Sequence, residues 1–250
     1  MLGKRRSAAV FLLLLLVASL AFEALYAVPY LVHGEASRAV GAYAPLYMYE
    51  HSPYGRIVVE VHYEESVKPS LPALEHLRNT LQKYTGRPVE LYMFGDISPS
   101  DVPGMAADGN ITAFGDAFIR ERARYRAGWL GGNATMYVLY VNASGPAIRD
   151  DEGRMVAGVT YRADSFLIFK NYIRSEKLES TVLVHEAGHL LGLEHDDDPR
   201  CAMVESLVQS RSILSGRTVP PDDYCDVHKA ELEYKRHHLL KYVNGSIRLA

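Results

Sequence analysis

The run His185-Glu186-Ala187-Gly188-His189-Leu190-Leu191-Gly192-Leu193-Glu194-His195 places three imidazoles, a carboxylate and a glycine at the spacing a catalytic zinc needs. Residues four apart on a helix share a face, one turn apart. His185 and His189 can therefore aim at one ion, about 2.0–2.1 Å from each nitrogen. Glu186, next to the first ligand, can reach a metal-bound water without binding the metal; this is the HExxH arrangement of zinc hydrolases. Gly192 stands where a helix C-terminus takes a left-handed residue without a Cβ, and the turn it makes delivers His195 as the third ligand. The fourth position is left to water, which marks a catalytic rather than a structural zinc site.

With this composition, chance assembly of all five letters is on the order of one in ten thousand. The same helix has its own buried side in Val182, Leu183, Leu190, Leu191 and Leu193. Three unpartnered imidazoles beside that side would be costly, so a metal accounts for them better than packing. The chemistry implied is hydrolysis by a zinc-activated water, with Glu186 as general base. Two other readings stay open: a zinc-containing binding module without turnover, and a metallohydrolase acting on something other than peptides.

Met203 follows His195 by eight residues, within Cys201-Ala202-Met203-Val204. With the extended histidine motif, this resembles the metzincin clan of zinc peptidases, which carry a methionine turn beneath the zinc. The short spacing and Cys201-x-Met203 are most similar to the archaemetzincins. The chain departs from them with Asp196 after the third histidine and with Cys225-Asp226-Val227-His228 in place of a final cysteine pair. The resemblance implies peptide or protein substrates, with endopeptidase favoured over aminopeptidase action. It also implies an α/β (α+β) fold. A twisted five-stranded mixed sheet, mostly parallel, is joined by a backing helix, the zinc helix and a C-terminal helix. In such a fold the antiparallel edge strand borders the cleft; here Val156, Ala157, Gly158 and Val159 take that place, and the edge can bind an extended peptide. Gly158 suits a point where another backbone comes close. Glu205 occupies the position where some relatives carry a tyrosine ligand, so no fifth ligand is expected.

Lys4, Arg5 and Arg6 precede an apolar run from Ala8 to Phe22. That is the pattern of a signal peptide or signal anchor, with the catalytic region outside the cytoplasm. Residues 1–27 are assigned to this segment, which touches the membrane if it is not cleaved. Asn110, Asn133, Asn142 and Asn244 each head an N-x-[ST] triplet and are candidate glycosylation sites. The chain has 2 cysteines; outside the cytoplasm Cys201 and Cys225 pair by default as a disulfide. The alternative, implied by the archaemetzincin resemblance, is a second, structural zinc held by Asp196, Cys201, Cys225 and His228.

The net charge of −3 sets up no basic field for nucleic acid. Residues 28–55, with Pro29, Pro45 and Pro53, are expected to form a linker or packed extension, and 56–250 one catalytic domain. Alternation predicts strands over Ile57–Tyr63, Val89–Phe94, Thr135–Asn142, Met155–Arg162 and Ser165–Lys170. His62, without ligand spacing, is read as a surface or core-packing residue of the first. Helices are predicted from Pro72 to Tyr84 (stopped by Gly86), over 116–125, over Leu178–Leu191 with Ser180 or Thr181 near the start, and over Asp222–Tyr242.

Overall fold

The computed structural model describes residues 10–21, 39–102, 108–126, 132–142, 153, 155–205, 220–238, 240–243 and 246–249. The helix over 10–21 (α1) has its apolar side chains exposed. Among the described residues no helix is long and apolar enough to cross a membrane; the expectation of an anchor rests on the sequence.

The elements that follow are α2 (Ala44–Met48), β1 (Arg56–Glu64), α3 (Leu71–Thr85), β2 (Val89–Ile97), α4 (Asp108–Arg122), β3 (Asn133–Val141), β4 (Gly158–Thr160), β5 (Ser165–Phe169), α5 (Glu176–Leu190), α6 (Asp226–His237), β6 (Leu240–Val243) and β7 (Ser246–Leu249). The main sheet has five strands in the order β2-β1-β3-β5-β4. Pairs β1/β2, β1/β3 and β3/β5 are parallel, and the edge strand β4 runs antiparallel to β5. This is the mixed, mostly parallel α/β sheet that was expected.

Alternation along the strands builds two cores. Ile57, Val59 and Val61 of β1, with Met136, Val138 and Tyr140 of β3, face α3 and α5. On the other face Tyr137, Leu139, Val141, Leu167 and Phe169 meet Phe114, Phe118 and Ile119 of α4. Because helices cover both faces, even the polar side of β1 is buried. His62 is 0% exposed; its Nδ1 lies 2.7 Å from Asp96 Oδ1 and its Nε2 3.0 Å from Glu60 Oε1. Of the two readings of His62, surface or core, it is the core one that the burial supports, with two carboxylates as its neighbours.

Residues 39–54 are packed rather than extended as a linker. Tyr47 and Met48 join the core, and the buried Arg87 guanidinium donates to the carbonyls of Tyr47, Tyr49 and Tyr54.

Several predicted boundaries shift. Helix α4 starts at Asp108 rather than 116, over a stretch rich in turn formers, and Phe114, before the predicted start, is already in its buried face. The long C-terminal helix ends at His237, and the chain then forms the antiparallel pair β6/β7. The fourth strand is shorter than predicted: Val156 and Ala157 precede it, although Phe169 N–H still donates to Ala157 O at 2.9 Å. Asn133 is 8% exposed and its Nδ2 faces Thr135 Oγ1 at 3.2 Å and Arg126 O at 3.4 Å. Asn110 lies within α4 and Asn142 follows β3, exposed; Asn244 lies outside the described residues.

Candidate metal centre

The histidines are positioned by one helix and the turn that ends it. Helix α5 begins at Ser175, whose hydroxyl accepts Leu178 N–H at 3.2 Å; this cap lies before the predicted start. Glu179, 0% exposed, fastens the helix to its surroundings. It accepts Ser70 N–H at 2.9 Å and Tyr140 O–H at 3.1 Å and pairs with Lys170. At the far end Gly192 has φ 79°, as its position predicted. Leu193 N–H returns to Gly188 O at 2.9 Å and Gly192 N–H to His189 O at 3.0 Å, closing the left-handed turn. The buried Lys235 ammonium from α6 donates to Gly192 O at 2.6 Å, where a cation suits a helix C-terminus.

That turn brings His195 over the helix. Ring centroids lie 4.7 Å (His185–His189), 4.8 Å (His189–His195) and 5.2 Å (His185–His195) apart. One ligand atom from each falls within 4.8 Å of the other two. His185 Nδ1 donates to Ala202 O at 2.8 Å and His189 Nδ1 to Leu193 O at 3.0 Å. A carbonyl can only accept, so both protons sit on Nδ1 and both Nε2 lone pairs point inward, 3.1 Å apart. Burial pushes both imidazoles down to about 4; both are neutral at pH 7, the form that binds a metal. His195 is exposed and opens the cluster to solvent. Neutral nitrogens aimed at one point are a donor set that fits zinc.

Glu186 is 5% exposed. Burial pushes its carboxyl up; His189, Thr160 and His195 draw it back down. The Thr160 hydroxyl lies 2.7 Å from Oε2. At Gly158, where another backbone was expected to come close, the neighbours of a Cβ are side chains instead: it would stand 2.6 Å from Glu186 Oε1. Val156 and Val159 pack into the α4 core and Ala157 into the other.

Met203 is 0% exposed and lies under Gly188, where an added Cβ would meet its Sδ at 2.3 Å. The methionine turn is tied back by Asp196 N–H to Met203 O, 2.9 Å. Gly188→Ala should therefore displace the thioether floor, at about 1–3 kcal/mol of stability, and weaken zinc retention. Equal melting temperature and equal zinc content in the variant would show that the floor yields freely.

Cys201 and Cys225 form a disulfide, with Cα atoms 4.7 Å apart. His228 Nδ1 lies 3.3 Å from each sulfur, and Asp196 Oδ2 3.6 Å from Cys225 Sγ. The structure thus brings all four residues of the second candidate site together. A cavity of about 440 Å³ beside it is lined by Asp196, Asp198, Asp222 and Asp226 among others; it does not lie over the three histidines.

Thr160, Gly188 and Tyr224 (whose hydroxyl donates to Val184 O at 2.8 Å) were not singled out from the sequence. For Thr160 a signal existed, since it shares a strand face with Gly158.

No protein-family model matches the sequence, and no curated protein matches it. Solved structures do. The archaemetzincin of Methanopyrus kandleri is 14% identical with a TM-score of 0.48, over 72% of this chain and 96% of that one. The archaemetzincin of Archaeoglobus fulgidus is 16% identical, TM-score 0.41, over 71% and 99%. A zinc-dependent peptidase from Methanocorpusculum labreanum is 15% identical, TM-score 0.42, over 70% and 99%. The chain is similar to each of these, at a distance that leaves its chemistry to be argued from its own residues.

Proposed function

We propose that this chain is a zinc-dependent metallopeptidase acting outside the cytoplasm, with His185, His189 and His195 as ligands and Glu186 as general base. The observation that carries the reading is the convergence of three ring nitrogens, two of them locked through Nδ1 to backbone carbonyls, beside a buried carboxylate. Zinc bound there supplies Lewis acidity, for polarising a carbonyl and for making water a better nucleophile. Glu186 takes the proton from the attacking water and returns it to the leaving amine. Met203 supplies an apolar floor.

A peptide substrate is favoured by the edge strand. Ala157 and Tyr161 bond to β5, so alternation turns the backbone groups of Gly158 and Thr160 away from β5, with the Thr160 N–H also stabilising the Glu186 carboxylate. An extended chain can add there as a further strand, which suits internal cleavage. The disulfide fits an oxidising compartment. A second reading concerns metal count. With the cysteines reduced, Asp196, Cys201, Cys225 and His228 form a donor set for a structural zinc. Zinc content before and after mild reduction counts it.

The test is a mixed peptide library incubated with the protein, with and without a chelator, and read by mass spectrometry. New internal termini that vanish with chelator are expected. Stoichiometric zinc without any cleavage would instead mark a binding module.

A further inference from the structure

Glu186 has a partner that the proton transfers just described do not require. Thr160 Oγ1 stands 2.7 Å from Glu186 Oε2 and 3.0 Å from Glu186 O. The hydroxyl has one hydrogen, and the charged, nearer carboxylate is the stronger acceptor. The backbone carbonyl at 186 is in any case within the helix ladder.

Three further features make this contact more than incidental. First, a carboxylate 5% exposed needs a donor, and among the described residues no other side chain donates to it. Second, β4 presses on the same group from Gly158. A Cβ there would come 2.6 Å from Oε1 and 2.9 Å from both Glu186 Cγ and Val182 Cγ1. The strand is thus a close wall, and Thr160 supplies its hydrogen bonds to the carboxyl, through the hydroxyl and, beside it, the backbone N–H. Third, the wall is rigid: Phe169 N–H donates to Ala157 O at 2.9 Å and Tyr161 N–H to Ser165 O at 3.2 Å, either side of Thr160. A group on a paired strand holds geometry better than one on a loop.

We propose that Thr160 is a positioning residue for the Glu186 base. Its hydroxyl holds Oε2 at the edge strand and so fixes the angle at which the carboxylate meets the water whose proton it takes. The arrangement serves both halves of the proton cycle. With the carboxylate ionised, Thr160 donates to Oε2; with the proton on Oε1, Oε2 is still an acceptor for the same hydroxyl. Strand and helix are thereby coupled at the reacting group, so the element that borders the substrate also sets the angle of the base. This rests on the peptidase reading above.

The test compares Thr160→Val, which removes the hydroxyl at nearly constant shape, with Thr160→Ser, which keeps it. Both are assayed on a peptide identified in the library, and both are crystallised. Thr160→Val should lower kcat about tenfold, with KM within about twofold and zinc content unchanged. Thr160→Ser should stay within about threefold of the parent kcat. In the crystals the Glu186 carboxylate should leave the edge strand in the valine variant and keep its place in the serine variant. A valine variant with the parent kcat, or with an unmoved carboxylate, overturns the proposal, as does a serine variant as impaired as the valine one. If the parent shows no chelator-sensitive cleavage, the peptidase reading fails by itself. The carboxylate position then decides: displaced in valine and retained in serine supports the hold, and an unmoved carboxylate removes it.

Discussion

Replacing Glu186 by Gln should lower kcat by about 10²–10⁴-fold, the usual contribution of a positioned acid–base group, while zinc stays bound. The amide is nearly the same size, so the fit against Gly158 survives. It can also still accept the Thr160 hydroxyl. What it loses is the capacity to take a proton. None of the bonds that orient His185 and His189 involves Glu186: they run to Ala202 O and Leu193 O. Metal content should therefore equal that of the parent, measured by elemental analysis beside the kinetics. A variant that cleaves at the parent rate would mean that another group moves the proton. A variant that loses both zinc and activity would mean that the carboxylate is a ligand.

His195→Ala is expected to weaken zinc binding by more than about 100-fold, beyond the 10–100-fold typical of losing an outer partner. His195 is the exposed member of the three and comes from the turn after α5. Its loss leaves the helix and its caps in place, so the melting temperature of the metal-free variant should match the metal-free parent. Competition titration against a chromogenic chelator measures the affinity. Parent-like affinity would place the third ligand elsewhere.

The clustering of the three histidines was legible in the sequence because its geometry is local. One helical turn relates His185 to His189, and one left-handed glycine relates the helix to His195. Strand β1 was legible from its alternation, but its environment was not. Glu60, His62 and Glu64 look like a solvent face, yet all three are buried, because α4 covers that side. The start of α4 was obscured by Asp108, Gly109 and Asn110, which are turn formers in isolation. At the other end Leu239 and Leu240 prolonged the apolar rhythm of α6 past its true end at His237. The cap at Ser175 was missed because the helix start was read from its apolar residues, which begin later than its hydrogen bonds. The contact of Thr160 with Glu186 joins residues 26 apart in sequence. It depends on which sheet edge lies over α5, which periodicity alone does not specify.

The most direct measurement is a crystal of the purified protein with diffraction data collected on both sides of the zinc absorption edge. The account predicts an anomalous peak about 2.0–2.1 Å from a ring nitrogen of each of His185, His189 and His195, with Glu186 beside it and outside bonding distance. A fully zinc-loaded protein with no peak among those three rings would contradict it.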